Sequence, residues 1–217
     1  SMVYGPSVNN APPVLSTPTA GSIAETAGSS DTTTSGLTGT LSASDADGNT
    51  LTYAITGGST TDGVSTLAGS YGSLSLNTST GAYTYTPDSS AVEALDNGDS
   101  VTDSFTLTAS DGTDTTSATY TVNLTGADDS SVISATTTGS LTEDSGTSTV
   151  TGSISIADPD ADDSPSFPDV SSTASDNGYG SYSLSSGTWS YTLSNPPALA
   201  AGASTPDTFT LTATDNS

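Results

Sequence analysis

Ser44-Asp45-Ala46-Asp47-Gly48-Asn49 sets two carboxylates at alternate positions of a short segment whose glycine permits a sharp bend. Acids spaced this way on a turning loop converge and supply oxygen ligands to a hard cation. Asp111 closes the alternating segment Phe105-Thr-Leu-Thr-Ala-Ser-Asp111 and is expected at the same end of the fold. Three carboxylates held together without a base disfavour one another's ionisation, and a bound cation relieves that repulsion. The alternative for Asp45 and Asp47 is that each side chain caps its own turn backbone.

The charge of the whole chain favours a cation. Its 24 acids, 21 of them Asp, face no Lys, Arg or His in 217 residues, giving a formal charge of −24. Salt screens only charges farther apart than ~8 Å, so acids that folding brings closer need positive charge from outside. Aspartate clustered in turns points to calcium, and the plainer reading is a solvated, solubilising surface.

Absent residue types exclude much else. Without His, Cys or Lys there is no Ser–His–Asp or Cys–His nucleophile, no Schiff base and no Cys/His zinc site. Nothing can neutralise phosphates, so nucleic acid is excluded as a partner. No apolar run approaches the ~20 residues of a membrane span, so membrane insertion is not expected. A carboxylate-pair glycosidase survives on residue types alone, but no acidic pair stands beside an aromatic-lined cleft. The chain is read as non-enzymatic. With no cysteine it has no disulfide clamp, and with no visible signal peptide it reads as a piece of a longer precursor.

The elements that must position these acids repeat. Phe105-Thr-Leu-Thr-Ala-Ser-Asp111 returns as Phe209-Thr-Leu-Thr-Ala-Thr-Asp215, and Gly72-Ser-Leu-Ser-Leu76 as Gly180-Ser-Tyr-Ser-Leu184. Ala82-Tyr-Thr-Tyr-Thr86 returns as Thr188-Trp-Ser-Tyr-Thr192, and Ala24-Glu25-Thr-Ala-Gly28 as Thr142-Glu143-Asp-Ser-Gly146. The offset drifts from 118 to 104 along the chain, which places deletions in loops of the second copy. A repeat near ~110 residues is the size of one sandwich domain. The reading is a leader or last strand of a preceding repeat over 1–10, a first domain over 11–126 and a second over 127–217.

Within each copy the apolar period is two, as in Leu51, Tyr53 and Ile55, or Tyr120, Val122 and Leu124, with turn signals such as Asp47-Gly48 and Asp111-Gly112 between. Disorder is the competing reading, since 84 residues are Ser or Thr, but strand periodicity and nine tyrosines argue for thin β cores. The fold class is therefore all-β, two tandem Greek-key sandwiches. Only 89–95 and 197–201 hint at a helical turn, and the stretches 57–69 and 164–178 read as long polar loops.

Leu41-Ser-Ala-Ser-Asp-Ala-Asp-Gly-Asn-Thr-Leu-Thr-Tyr-Ala-Ile55 resembles the Asp-x-Asp segment of cadherin repeats. Leu95-Asp-Asn-Gly-Asp-Ser-Val-Thr-Asp-Ser-Phe-Thr-Leu-Thr-Ala-Ser-Asp111 resembles their Leu-Asp-x-Glu segment and the strand after it. The second copy, above all 180–215, resembles the VCBS-type repeats of large secreted RTX-type adhesins. The resemblance runs from about Asn10 onward.

It implies calcium at junctions between successive domains. The lower end of domain one would offer Glu25 and Asp96, the linker Asp128 and Asp129, and the upper end of domain two Asp158, Asp160 and Asp215. Asp45, Asp47 and Asp111, with Asn9 or Asn10, would serve the junction with whatever precedes. Where the family carries a second acid after Leu-Asp this chain has Gly98, with Asp99 as a displaced substitute. Ala200 stands at the place of Asp96 in copy two, and Asp162 with Asp163 extends its upper loop.

Copy one ends on Ser117-Ala-Thr-Tyr-Thr-Val-Asn-Leu-Thr125, and copy two has no counterpart of it. Ser1-Met-Val-Tyr-Gly-Pro-Ser-Val8 aligns loosely with 117–124, so residues 2–8 of one chain are candidates to complete domain two of the next, head to tail. Pro6 opposes this, since proline suits only a strand edge. The function these readings imply is a calcium-stiffened extender module of a bacterial surface adhesin, extracellular, with neighbouring repeats of its own polypeptide as partners. The alternatives are a module that binds a cell-surface glycan or protein through the polar loops, and a filament subunit that self-assembles by strand donation.

Overall fold

The structure is a computed structural model that describes residues 9–28 and 36–215. Residues 1–8, on which the strand-donation reading rests, lie outside the described residues. The chain divides into two compact units, the first ending at Asp129 and the second starting at Ser130. The division falls after Asp129 rather than after Gly126. The Gly28 N–H donates to Asp128 O at 2.7 Å and the Ala127 N–H to Glu25 Oε2 at 3.0 Å, which ties 127–129 to the first unit.

Unit 1 holds β1 (Val14–Leu15), β2 (Gly21–Ala24), β3 (Leu37–Thr40), β4 (Ala43–Ser44), β5 (Thr52–Ile55), β6 (Ser59–Thr61), β7 (Val64–Ala68), β8 (Gly72–Asn77) and β9 (Ala82–Pro87). It continues with the short helix α1 (Ser89–Glu93), then β10 (Ser100–Ser110) and β11 (Thr115–Thr125). One sheet runs β2-β11-β10-β5 and the other β3-β9-β8-β7-β6, with β1 and β4 paired beside them. The period of two turns Leu74 and Leu76 of β8, Tyr83 and Tyr85 of β9, Phe105 and Leu107 of β10, and Tyr120, Val122 and Leu124 of β11 into one core between the sheets. Each such fully buried side chain contributes about 1.5–3 kcal/mol over leaving it exposed.

The stretch 57–69 is not a long loop. Asp62 and Gly63 both adopt positive φ (50° and 76°), as a tight hairpin turn between β6 and β7 requires, and the β-branched residues around them pair. Likewise 164–178 contains β14 (Val170–Ala174), which pairs with β15 (Gly180–Ser185). The helical hint at 89–95 is α1, whose N-cap Asp88 accepts from the Ser90 and Ala91 N–H groups. The hint at 197–201 forms no helix. It closes instead in a turn from Ala203 N–H to Ala200 O.

Unit 2 forms one sheet, β12-β13-β16-β15-β14, with β12 (Val132–Ala135), β13 (Thr149–Ala157) and β16 (Thr188–Leu193). Leu184, Trp189 and Tyr191 are its buried centre, covered by Phe209 and Leu211. The repeat predicts a strand over 209–215 like β10. Among the described residues this segment forms the bridge between Thr214 and Ser166 and no ladder like that of β10, which pairs with β11 along its whole length.

The two units share a device that aligns their aromatic cores. Tyr83 lies across the strand from Gly39, and Trp189 across from Gly152. A Cβ at Gly152 would sit 2.4 Å from Trp189 Cε2, and one at Gly39 2.3 Å from the Tyr83 hydroxyl, so each ring occupies the space a side chain would take.

Candidate metal centre

Three acids meet at the end of unit 1 from which the chain leaves toward Ser130. Glu25 follows β2, Glu93 ends α1 and Asp129 follows β11. They are 9%, 7% and 6% exposed, and one carboxylate oxygen from each lies within 4.8 Å of the others. The placement follows from the strand order. β2 runs parallel to β11, so both end at the same edge, and the Glu25 N–H donates to Thr125 O at 3.0 Å. The single turn of α1 then brings Glu93 beneath them, with Val92 anchored in the core.

Of the sequence-derived residues, Glu25 and Asp129 belong to this group and Asp96 does not. Asp96 and Asp99 close a turn on one another: Asp96 N–H donates to Asp99 Oδ2 at 3.1 Å, and Asp99 N–H to Asp96 O at 3.0 Å. Glu93 was not legible, because the spacing of the Leu-Asp segment directs attention to Asp96 and Asp99. Asp128 is exposed, and its carbonyl receives the Gly28 N–H.

At the opposite end of unit 1, Asn10 links Asp111 and Asp114 to the turn that carries Asp45 and Asp47. The Asn10 amide donates to Asp111 Oδ2 at 2.8 Å and to Asp114 Oδ2 at 2.9 Å, and its own carbonyl accepts from Asn49 at 3.3 Å. Asp45 Oδ1 receives the N–H groups of Asp47 and Asn49, so the capping alternative describes this oxygen. Asp45 Oδ2 is buried and accepts no hydrogen bond from the described residues. Asp47 Oδ2 receives the Ala11 N–H at 2.7 Å. The Asp114 N–H, then the Asn10 amide and the Thr113 N–H, hold the Asp111 carboxyl below the usual 3.8. Asp114 was missed, and its only sequence signal was its place three residues after Asp111.

In unit 2, Asp158 Oδ2 accepts from Ser131 Oγ at 2.6 Å and its Oδ1 from the Asp160 N–H at 3.0 Å. Asp160 is buried at 4% exposure, and its carbonyl receives the Asp163 N–H at 3.3 Å. Asp162 and Asp215 are exposed.

A second acidic pattern, also missed, is structural. Asp103 and Asp207 each stand two residues before the repeated Phe, on the inward face. Tyr85 donates to Asp103 Oδ2 and Tyr191 to Asp207 Oδ2, both at 2.7 Å. Asp103 also receives the Ser70 and Tyr71 N–H groups, and Asp207 receives Ser175 Oγ and the Asn177 N–H. Burial, then the bond to Asp207, pushes the Tyr191 phenol up to about 12. Burial also pushes the Asp207 carboxyl upward, but donors from Ser175, Tyr191, Asn177 and Thr208 outweigh it and hold it below 3.8.

No helix among the described residues is long and apolar enough to cross a membrane. A search of curated proteins finds no match to this chain. Among solved structures the chain is similar to an endo-fucoidan hydrolase of glycoside hydrolase family 107 and to a variant of that enzyme. Each match has 14% identity and a TM-score of 0.32, covering 89% of this chain and 25% of the other, too weak a likeness to carry an argument. The sequence profile of the bacterial cadherin-like domain matches residues 10–126, which span β1 to β11 and include Glu25 and Glu93 but not Asp129. The chain belongs to the bacterial cadherin-like domain family.

Proposed function

We propose that the chain is a non-catalytic structural module of a longer extracellular adhesin or cell-surface protein, and that calcium bound by Glu25, Glu93 and Asp129 stiffens it. The observation that carries this reading is the gathering of three buried carboxylates in a sequence that has no cationic side chain. The spacing fits the ion. Two oxygens each about 2.4 Å from one calcium lie at most about 4.8 Å apart. The ion would tie the exit from β11 to β2 and α1, so the linker after Asp129 leaves unit 1 in a fixed direction. Asp45, Asp47, Asp111 and Asn10 offer a second, oxygen-only set at the other end, where the buried Asp45 Oδ2 is the first ligand candidate. Asp158, Asp160 and Asp162 are the corresponding candidates of unit 2, with neighbouring repeats of the same polypeptide as the partners such sites would orient.

Isothermal titration calorimetry of the whole chain with calcium tests this. Glu25→Gln with Glu93→Gln should remove one class of site and leave any others. A wild-type chain that takes up no calcium at millimolar concentration would refute the reading.

A further inference from the structure

Asn-Gly occurs twice in the sequence, at Asn97-Gly98 in unit 1 and at Asn177-Gly178 in unit 2. The pair is chemically distinctive. The backbone nitrogen that follows an Asn can close a five-membered ring on the side-chain carbonyl carbon, and glycine has no Cβ to obstruct it. Both asparagines are exposed, and both glycines adopt positive φ, 95° and 72°. A Cβ on either glycine would meet nothing within 4 Å, so space does not separate the two sites.

Hydrogen bonds do separate them. The Gly178 N–H donates to Ser175 O at 3.0 Å and Asn177 Nδ2 to Pro206 O at 2.9 Å, so the attacking nitrogen and the leaving amide are both held. The Asn177 N–H donates to Asp207 Oδ1 at 2.9 Å and fixes the backbone before them. Among the described residues neither the Asn97 side chain nor the Gly98 N–H has such a partner. The turn that carries Asn97 also braces the chain beyond β11. The Asp99 N–H closes it on Asp96 O at 3.0 Å, and Asp99 O receives the Gly126 N–H at 3.0 Å. A Cβ on Gly126 would lie 2.3 Å from Asp96 O, so the turn backs directly onto the residue that begins the linker.

We propose that Asn97 is a site of spontaneous covalent modification, and that its conversion releases the start of the linker from this turn. The Gly98 nitrogen gives its proton to solvent and attacks Asn97 Cγ. A new C–N bond forms, the bond from Cγ to Nδ2 breaks, and the amide leaves as ammonia. Water then opens the cyclic imide at either carbonyl, giving aspartate or isoaspartate. Each product adds one negative charge. In isoaspartate the main chain also runs through the side-chain carbon, which lengthens the turn by one atom and removes the bond from Asp99 N–H to Asp96 O. Asn177, locked at both reacting atoms, stays intact while unit 2 is folded.

The test ages the full 217-residue chain, folded, in warm and mildly alkaline buffer, then maps it by mass spectrometry after cleavage at aromatic residues. Conversion at Asn97, with isoaspartate detected there and Asn177 intact, is the expected result. In urea, where the bonds around Asn177 are gone, both sites should convert. Equal conversion of the two sites in the folded chain, or none at Asn97, would overturn the proposal. Hydrogen exchange at the Gly126 N–H then reads the linker. Exchange should quicken in the aged chain and stay unchanged in aged Asn97→Gln, whose longer side chain does not close the same ring. Freshly prepared Asn97→Asp, which has the charge without the longer backbone, should exchange like the fresh wild type. Unchanged Gly126 exchange in the aged chain, or equally fast exchange in fresh Asn97→Asp, would overturn release through the lengthened turn.

Discussion

The Tyr85 hydroxyl donates to Asp103 Oδ2 at 2.7 Å, joining β9 of one sheet to β10 of the other through a carboxylate that is only 4% exposed. The same carboxylate receives the Ser70 and Tyr71 N–H groups, so one buried acid fixes a strand, a turn and a ring. Its repetition as Tyr191 and Asp207 makes it a rule of this fold rather than an accident of one unit.

Tyr85→Phe should therefore destabilise unit 1 by about 1.5–3 kcal/mol, the range for a hydrogen bond to a charged group. Urea denaturation of the variant and wild type measures it. A loss below about 0.5 kcal/mol would mean the hydroxyl is dispensable.

Unit 2 should lose stability at both pH extremes, for opposite reasons. Asp207 has a folded value below its unfolded 3.8, so its contribution is present above 3.8 and is lost as pH falls through the lower, folded value. Tyr191 has a folded value of about 12 against 10.0 unfolded, so its contribution is full below 10 and is lost as pH rises toward 12. Trp189 fluorescence during denaturation at each pH reports unit 2 alone. Tyr191→Phe should flatten the alkaline limb, and an unchanged limb would place its cause elsewhere.

Gly152→Ala should cost about 1–3 kcal/mol, because the new methyl group overpacks against a ring already in contact with the strand. The close approach of Trp189 to this position motivates it. Thermal unfolding followed at Trp189 provides the measurement, and a neutral substitution would show that the ring can retreat.

Much of the β architecture was legible because its period of two sets inward residues directly: Phe105, Leu107, Tyr120, Val122 and Leu124 all lie in the core. The hairpin at Asp62-Gly63 was not, since the only large apolar residues of its strands, Val64 and Leu67, are three apart and do not alternate. The strand over 209–215 was expected from its likeness to β10. Ladder formation depends on the neighbour as well as on the segment, and among the described residues no strand lies beside 209–215 as β11 lies beside β10. The acidic turn Asp45 to Asn49 read as a ligand loop, with turn capping as the alternative, and Asp45 Oδ1 accepts the Asp47 and Asn49 N–H groups as a cap does. Glu93 escaped notice because an acid at the end of a five-residue helix has no distinctive spacing. Only the path of α1 brings it to Glu25 and Asp129.

The central claim concerns those three acids, and calcium-dependent thermal unfolding of wild type and Glu93→Gln tests it most directly. An ion that binds only the folded state adds RT ln(1 + [L]/Kd), roughly 2.7 kcal/mol at a hundredfold excess. In chelator, Glu93→Gln should be at least as stable as wild type, since it removes one of three crowded like charges. In millimolar calcium the order should reverse, with wild type gaining markedly and the variant gaining less. Identical melting of wild type in chelator and in calcium, or an equal calcium gain in Glu93→Gln, would contradict the account.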